Sequence, residues 1–160
     1  MARGHSVRLL QVTDMHLQQD PTTLMRGENV ERRFQHVMQH IEGEAADLLL
    51  LTGDLTHHAP AAYDRLALSL QGLPFPSCWL PGNHDLIDEM ARFSALGYNR
   101  KVVEQGAWRV ILLDSTASPD GKGGGSLANE ELTFFAQQLA QTASDQHVLV
   151  ALHHHPVPVK

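Results

Sequence analysis

The chain predicts an α/β domain: a central, largely parallel sheet flanked by helices. Short aliphatic runs alternate with segments of helical periodicity along its whole length. The longest such run, DLLLLT at Asp47–Thr52, has no polar face, as a strand covered on both sides requires. The third observation concerns purpose, because four of the aliphatic runs end in Asp, Asn or His.

Taken in order, RLLQVT (Arg8–Thr13) reads as the first strand. Asn29–Ile41 follows as a helix with Val30, Phe34, Val37, Met38 and Ile41 at helical spacing. Asp47–Thr52 is the second strand. Pro60–Leu70 is a helix with Tyr63, Leu66, Ala67 and Leu70 on one face and Pro60 in the first turn, where its missing N–H costs nothing. Ser77–Leu80 is the third strand, with a helix expected over Leu86–Leu96, and WRVILLD (Trp108–Asp114) is the fourth. Gly121–Gly125 (GKGGG) is a flexible connection and not a phosphate loop, since no Gly-Lys-Ser/Thr ending follows it. Asn129–Ala140 predicts a helix facing inward through Leu132, Phe135 and Leu139, and HVLVAL (His147–Leu152) is the fifth strand. No linker or internal repeat divides the chain, so residues 1–160 are expected to form one domain.

Composition narrows the functional classes. With 42% hydrophobic and 19% charged residues the chain is ordinary for a globular domain, and no apolar run approaches the roughly 20 residues of a membrane span. The N-terminal residues MARGHSVRLL lack the apolar stretch of a secretion signal, which leads to the expectation of a cytoplasmic protein with no membrane partner. A single cysteine, Cys78, forbids an internal disulfide and agrees with a reducing compartment. A net charge of −6 argues against nucleic acid as a partner, and an anionic substrate would need bound cations.

The strand ends supply candidates for holding those cations. The first strand ends in Asp14-Met15-His16, where residues two apart on an extended chain would point the same way. The second ends in Gly53-Asp54, the third in Gly82-Asn83-His84-Asp85, and the fifth in His153-His154-His155-Pro156. In open α/β folds ligands gather where parallel strands finish, so these groups are expected at one rim. Asp, Asn and His without cysteine suit Mn, Fe, Zn or Mg-like ions. One carboxylate shared between two ions would form a centre of the kind that clamps both oxygens in phosphoryl transfer. Glycine before Asp54 and before Asn83 allows a sharp turn where a Cβ would obstruct the ions.

These residues resemble the calcineurin-like metallophosphoesterase superfamily, whose pattern runs D-x-H, G-D, G-N-H-D/E, a His-bearing strand end and G-H-x-H. The stretches LLQVTDMHL (Leu9–Leu17), TGDL (Thr52–Leu55), CWLPGNHD (Cys78–Asp85), ILLDS (Ile111–Ser115) and LHHHPVP (Leu152–Pro158) look like the Icc-type branch of bacterial 3′,5′-cyclic-AMP phosphodiesterases. The resemblance implies a four-layer α/β/β/α fold of which this chain is the N-terminal portion, because G-H-x-H is expected several tens of residues beyond the triple histidine. It implies two metal ions, Fe or Mn with Zn or Mg as alternatives. Asp14 and His16 would hold the first, Asp54 would bridge, and Asn83 with His153 would hold the second, His154 being the alternative. It implies His84 as the catalytic residue, with Asp85 orienting it. His16, Asp54, Asn83, His84 and His153 would contact the substrate phosphate. A hydroxide between the metals would open 3′,5′-cyclic AMP to 5′-AMP. Glycerophosphodiesters or phosphomonoesters are the alternative substrates, and an inactive fragment that self-associates through an exposed sheet face is the non-catalytic alternative. His36, His40, His57, His58 and His147 have no place in the pattern, although His57 and His58 follow Asp54 closely enough to line the pocket rim.

Overall fold

The computed structural model describes residues 6–157. In chain order it contains β1 (Leu9–Val12), a small hairpin of β2 (Leu24–Met25) and β3 (Glu28–Asn29), α1 (Val30–Glu42), β4 (Leu48–Thr52), α2 (Pro60–Gln71) and β5 (Ser77–Leu80). There follow α3 (Ile87–Ala91) with a 3-10 turn at Ser94–Leu96, β6 (Val102–Gln105), β7 (Trp108–Leu112), α4 (Asn129–Ala140) and β8 (His147–Ala151). Asn29 caps α1 by accepting from the Arg32 amide, which explains why that helix begins where the aliphatic periodicity does.

The strands form two three-stranded sheets, where the alternation of the sequence predicts one. The first is fully parallel in the order β1-β4-β5. In the second, β7 pairs antiparallel with β6 and parallel with β8. The physical reason is the hairpin at Gly106-Ala107: its two-residue loop, with Gly106 at φ +59°, turns the chain directly from β6 into β7, so β7 starts a new sheet instead of extending the first.

Side-chain alternation along β4 explains its complete burial. Leu49 and Leu51, with Trp79 of β5, pack on Phe34, Met38 and Ile41 of α1 and on Tyr63, Leu66 and Leu70 of α2. Leu48 and Leu50, with Cys78 and Leu80, face the other way onto Val103, Val110 and Leu112 of the second sheet. Each fully buried leucine contributes about 1.5–3 kcal/mol, so this double-faced strand is the centre of stability. The layers thus run helix, sheet, sheet, helix, as the resemblance implies.

The face of α4 is corrected. Leu132 and Leu139 are exposed, and the helix meets the second sheet through Glu131, Phe134 and Gln138. Glu131 accepts the Asp114 amide at 2.8 Å and pairs with Lys101, whose ammonium lies 4.2 Å from the centroid of the Phe134 ring, while Gln138 accepts from Arg109. Polar groups at a sheet end that need partners rotated the helix by about one residue relative to its aliphatic stripe. Among the described residues no helix is long and apolar enough to cross a membrane.

Candidate metal centre

The carboxyl ends of β1, β4 and β5 lie side by side because these strands are parallel neighbours, and three backbone bonds extend that order past the sheet. Asp14 N–H donates to Gly53 O (3.1 Å), His16 N–H to Asp54 O (2.9 Å) and Leu17 N–H to Leu55 O (3.0 Å). Asp14 and His16 are not extended, contrary to the spacing argument. Both, like Asp54, adopt left-handed backbone conformations, with φ of 54°, 47° and 50°. Such angles are uncommon outside glycine and persist where the surroundings enforce them.

Asp54 is the centre of the arrangement and is only 4% exposed. Its Oδ1 accepts the His84 amide at 2.9 Å; its Oδ2 lies 3.6 Å from His16 Nε2 and 3.5 Å from His153 Nε2. One donor atom each from Asp14, Asp54 and His153 lies within 4.8 Å of the others. His153 is held from behind by a 2.9 Å bond between its Nδ1 and Thr52 O, which directs Nε2 at the carboxylate. Burial raises the Asp54 pKa, but bonds from His153 and from the His84 amide outweigh it and bring the group down to about 2. The bond to Asp54 lifts His153 to about 9 against its own burial. In the metal-free chain the two are therefore ionised partners near neutral pH, and a metal ion would replace the His153 proton.

The donors fit such ions. A nearly buried carboxylate stands between two imidazoles with a second carboxylate beside it, and His16 Nδ1 is buried with no hydrogen-bond partner. Burial lowers the His16 pKa, partly offset by Asp54, which favours the neutral ring that ligation requires. Asn83 lies between two positions that touch Asp54: the His84 amide bonds its Oδ1, and a Cβ placed on Gly82 would fall on its carboxylate. His154, the alternative in the triple, is 5% exposed; its Nδ1 bonds Ser115 Oγ at 2.8 Å and its Nε2 is buried without a hydrogen-bond partner. Beside His16 a cleft of about 210 Å³ is lined by Met25, Arg26, Glu28, Val30 and Arg33.

Asp85 is placed differently from the expectation that it orients His84. Its carboxylate accepts the amides of Leu55 (3.1 Å), Thr56 (3.0 Å) and Gly82 (3.0 Å) and the Tyr63 hydroxyl (2.8 Å), and thereby ties the loop after Asp54 to the loop that carries Asn83. Burial raises its pKa against the pull of those donors. The His84 ring instead has its Nδ1 at 3.2 Å from His58 Nε2. Asp85→Asn turns an NH₂ toward donors that need an acceptor, and is expected to destabilise the fold by about 2 kcal/mol in denaturant unfolding. An unchanged midpoint would remove Asp85 from this role. Tyr63, read from its periodicity only as core, is part of the same network. His57 and His58 do line the rim: the His57 ring stacks on His84 with centroids 4.6 Å apart.

Comparison with known proteins adds the lineage. The 3′,5′-cyclic adenosine monophosphate phosphodiesterase CpdA of Escherichia coli (strain K12) is 36% identical over 160 residues, which are 95% of this chain and 56% of the relative. The 3′,5′-cyclic-nucleotide phosphodiesterase of Nostoc sp. is 33% identical over 158 residues, covering 96% of this chain and 58% of the relative. The chain thus spans somewhat more than half the length of these relatives. A dimetal phosphatase from Danio rerio shares the fold, with a TM-score of 0.65 at 11% identity over 92% of this chain and 69% of that one. The family model described as calcineurin-like phosphoesterase matches residues 7–159, and with the Asp-x-His, Gly-Asp and Gly-Asn-His-Asp segments converging on one carboxylate, the chain belongs to that family.

Proposed function

We propose that this chain carries the catalytic rim of a two-metal phosphodiesterase that hydrolyses 3′,5′-cyclic AMP to 5′-AMP. The observation that carries the reading is the Asp54 carboxylate held between His16 and His153. Asp14, His16 and Asp54 would hold one ion, and Asp54, Asn83 and His153 the other. When bound, such ions neutralise charge on the phosphoryl oxygens and acidify the attacking water.

The chain's own groups would do the rest. The buried, ionised Asp54 supplies a negative charge that both ions can share. His84, at the rim and oriented by His58, is placed to hand a proton to the departing ribose oxygen. Water adds to phosphorus as the P–O3′ bond breaks, the His84 proton ends on O3′, and the proton given up by the water restores His84 through solvent. The cleft beside His16 offers room for the rest of the nucleotide, with Arg26 as a positive charge and Arg33 paired with Glu28 at 3.2 Å. The names of the E. coli and Nostoc relatives favour the cyclic nucleotide over other phosphodiesters.

The test loads the protein with Mn²⁺ and follows 3′,5′-cyclic AMP by chromatography beside bis(p-nitrophenyl) phosphate, with the E. coli relative as the positive control. The expected product is 5′-AMP, with His84→Gln slower by about 10²-fold or more. Turnover of the model diester with none of the cyclic nucleotide would overturn the substrate and keep the chemistry.

A further inference from the structure

His57 falls outside the motifs that place the chain in its family, yet it completes a triangle of rings. It stacks on His84 at 4.6 Å and 24° and meets His16 edge-on at 5.5 Å, while His16 and His84 are 5.0 Å apart. One ring nitrogen from each of the three lies within 4.8 Å of the other two. Three separate segments deliver them: His16 follows β1, His57 follows β4 and His84 follows β5. The His57 amide donates to Leu17 O at 2.9 Å, so the backbone pairing that positions His16 also positions His57.

Two features of these rings suit them to an ion. His16 Nδ1 and His57 Nδ1 are both buried without a hydrogen-bond partner, where buried nitrogens are nearly always paired. The third ring is braced from behind: His84 Nδ1 bonds His58 Nε2 at 3.2 Å, which leaves its other nitrogen open, as in histidines that ligate metals.

We infer that His16, His57 and His84 form an imidazole-only ion site, beside the carboxylate-rich set of Asp14, Asp54 and His153, for a borderline transition ion such as Ni²⁺, Cu²⁺ or Zn²⁺. Three imidazoles without a carboxylate select those ions over Mn²⁺ and Mg²⁺, which take oxygen donors. An ion with bonds of about 2.0–2.1 Å in tetrahedral geometry holds its nitrogens roughly 3.3 Å apart, so the rings close by about 1.5 Å at most, a movement that side-chain rotation supplies. His16 also faces the carboxylate set, its Nε2 being 3.6 Å from Asp54 Oδ2, and it couples occupancy of one to the other. On the hydrolytic reading above, an ion here withdraws His84 from proton transfer; the ion site itself stands without that reading.

The test measures binding and not turnover. The protein is titrated with Ni²⁺ and, separately, with Mn²⁺ against a chromophoric chelator, and the electron paramagnetic resonance spectrum of its Cu²⁺ form is recorded. His57→Gln is expected to weaken Ni²⁺ binding at least about tenfold, to remove one equatorial nitrogen from the Cu²⁺ spectrum, and to leave Mn²⁺ affinity within twofold. His84→Gln gives the same Ni²⁺ loss and serves if the first variant folds poorly by circular dichroism. Ni²⁺ binding that survives both substitutions, or that is lost in Asp54→Asn and kept in His57→Gln, overturns the site and assigns the ion to the carboxylates. Mn²⁺-dependent hydrolysis is scored apart, so failure of the function and failure of this site are distinguishable.

Discussion

Asp54→Asn is expected to lower the proposed metal-dependent phosphodiester hydrolysis by about 10³-fold or more and to leave the chain folded. The substitution is chosen because it isolates charge. Asparagine is among the few residues that tolerate a φ of 50°, and its carbonyl can still accept the His84 amide at Oδ1. What it loses is the anionic oxygen that His16 Nε2 and His153 Nε2 both face at 3.6 and 3.5 Å, and with it the one ligand that two ions could share. Metal content, measured after dialysis, should fall in parallel with activity. The pH profile of the metal-free chain gives an independent readout. Asp54 is lowered from 3.8 to about 2, so its contribution to stability is present above pH 3.8 and disappears as pH falls through 2. His153 is raised from 6.5 to about 9, so its contribution is present below pH 6.5 and disappears as pH rises through 9. Both limbs flatten in the variant, because each is largely the other's partner. Wild-type metal content together with wild-type turnover would remove Asp54 from the centre.

The residues that proved legible in the sequence are those whose position follows from strand order. Asp54 and Asn83 end neighbouring parallel strands, so reading β4 and β5 as buried runs was enough to bring them to one rim. His153 comes from the other sheet, and its arrival depends on the packing of Leu48, Leu50, Cys78 and Leu80 on Val103, Val110 and Leu112, which no local pattern specifies. The second sheet itself was hidden by the short β6, although Gln105-Gly106-Ala107-Trp108 is a two-residue hairpin between β-forming runs and could have been read as one. On α4 the failure has a different source. Aliphatic periodicity assumes that apolar groups face inward, whereas Glu131 and Gln138 face inward to satisfy the Asp114 amide, Lys101 and Arg109. The motif found Asp85 and missed its task, because a carboxylate five residues past a strand end can orient a catalytic ring or tie two loops together. Only its bonds to Leu55, Thr56, Gly82 and Tyr63 decide between these.

Gly53→Ala is expected to destabilise the fold by about 2–4 kcal/mol and to weaken Mn²⁺ binding at least tenfold, and Gly27→Ala supplies the control that explains why. Both glycines have left-handed backbones, with φ of +93° and +83°, so alanine carries about 1 kcal/mol of backbone strain at either. They differ in what a methyl group meets. At Gly27, in the exposed β2–β3 turn, nothing lies within 4 Å; at Gly53 the new Cβ would sit 2.5 Å from His153 Nδ1 and 2.8 Å from the Gly82 amide nitrogen. Neither neighbour can yield without cost. His153 Nδ1 is bonded to Thr52 O at 2.9 Å, and Gly82 N–H donates to Asp85 at 3.0 Å, so displacement of either opens the contact between the end of β8, the end of β4 and the loop after β5. Overpacking of this kind adds about 1–3 kcal/mol to the strain. For a chain of this size, 1 kcal/mol corresponds to roughly 2–4 °C in Tm, so Gly53→Ala should melt about 4–16 °C lower and Gly27→Ala only about 2–4 °C lower. Metal affinity separates the two further, since Gly27 touches none of the donors. Equal melting shifts in the two variants would mean that backbone strain alone explains the glycine before Asp54, and that the close approach of three chain segments around that carboxylate is not what requires it.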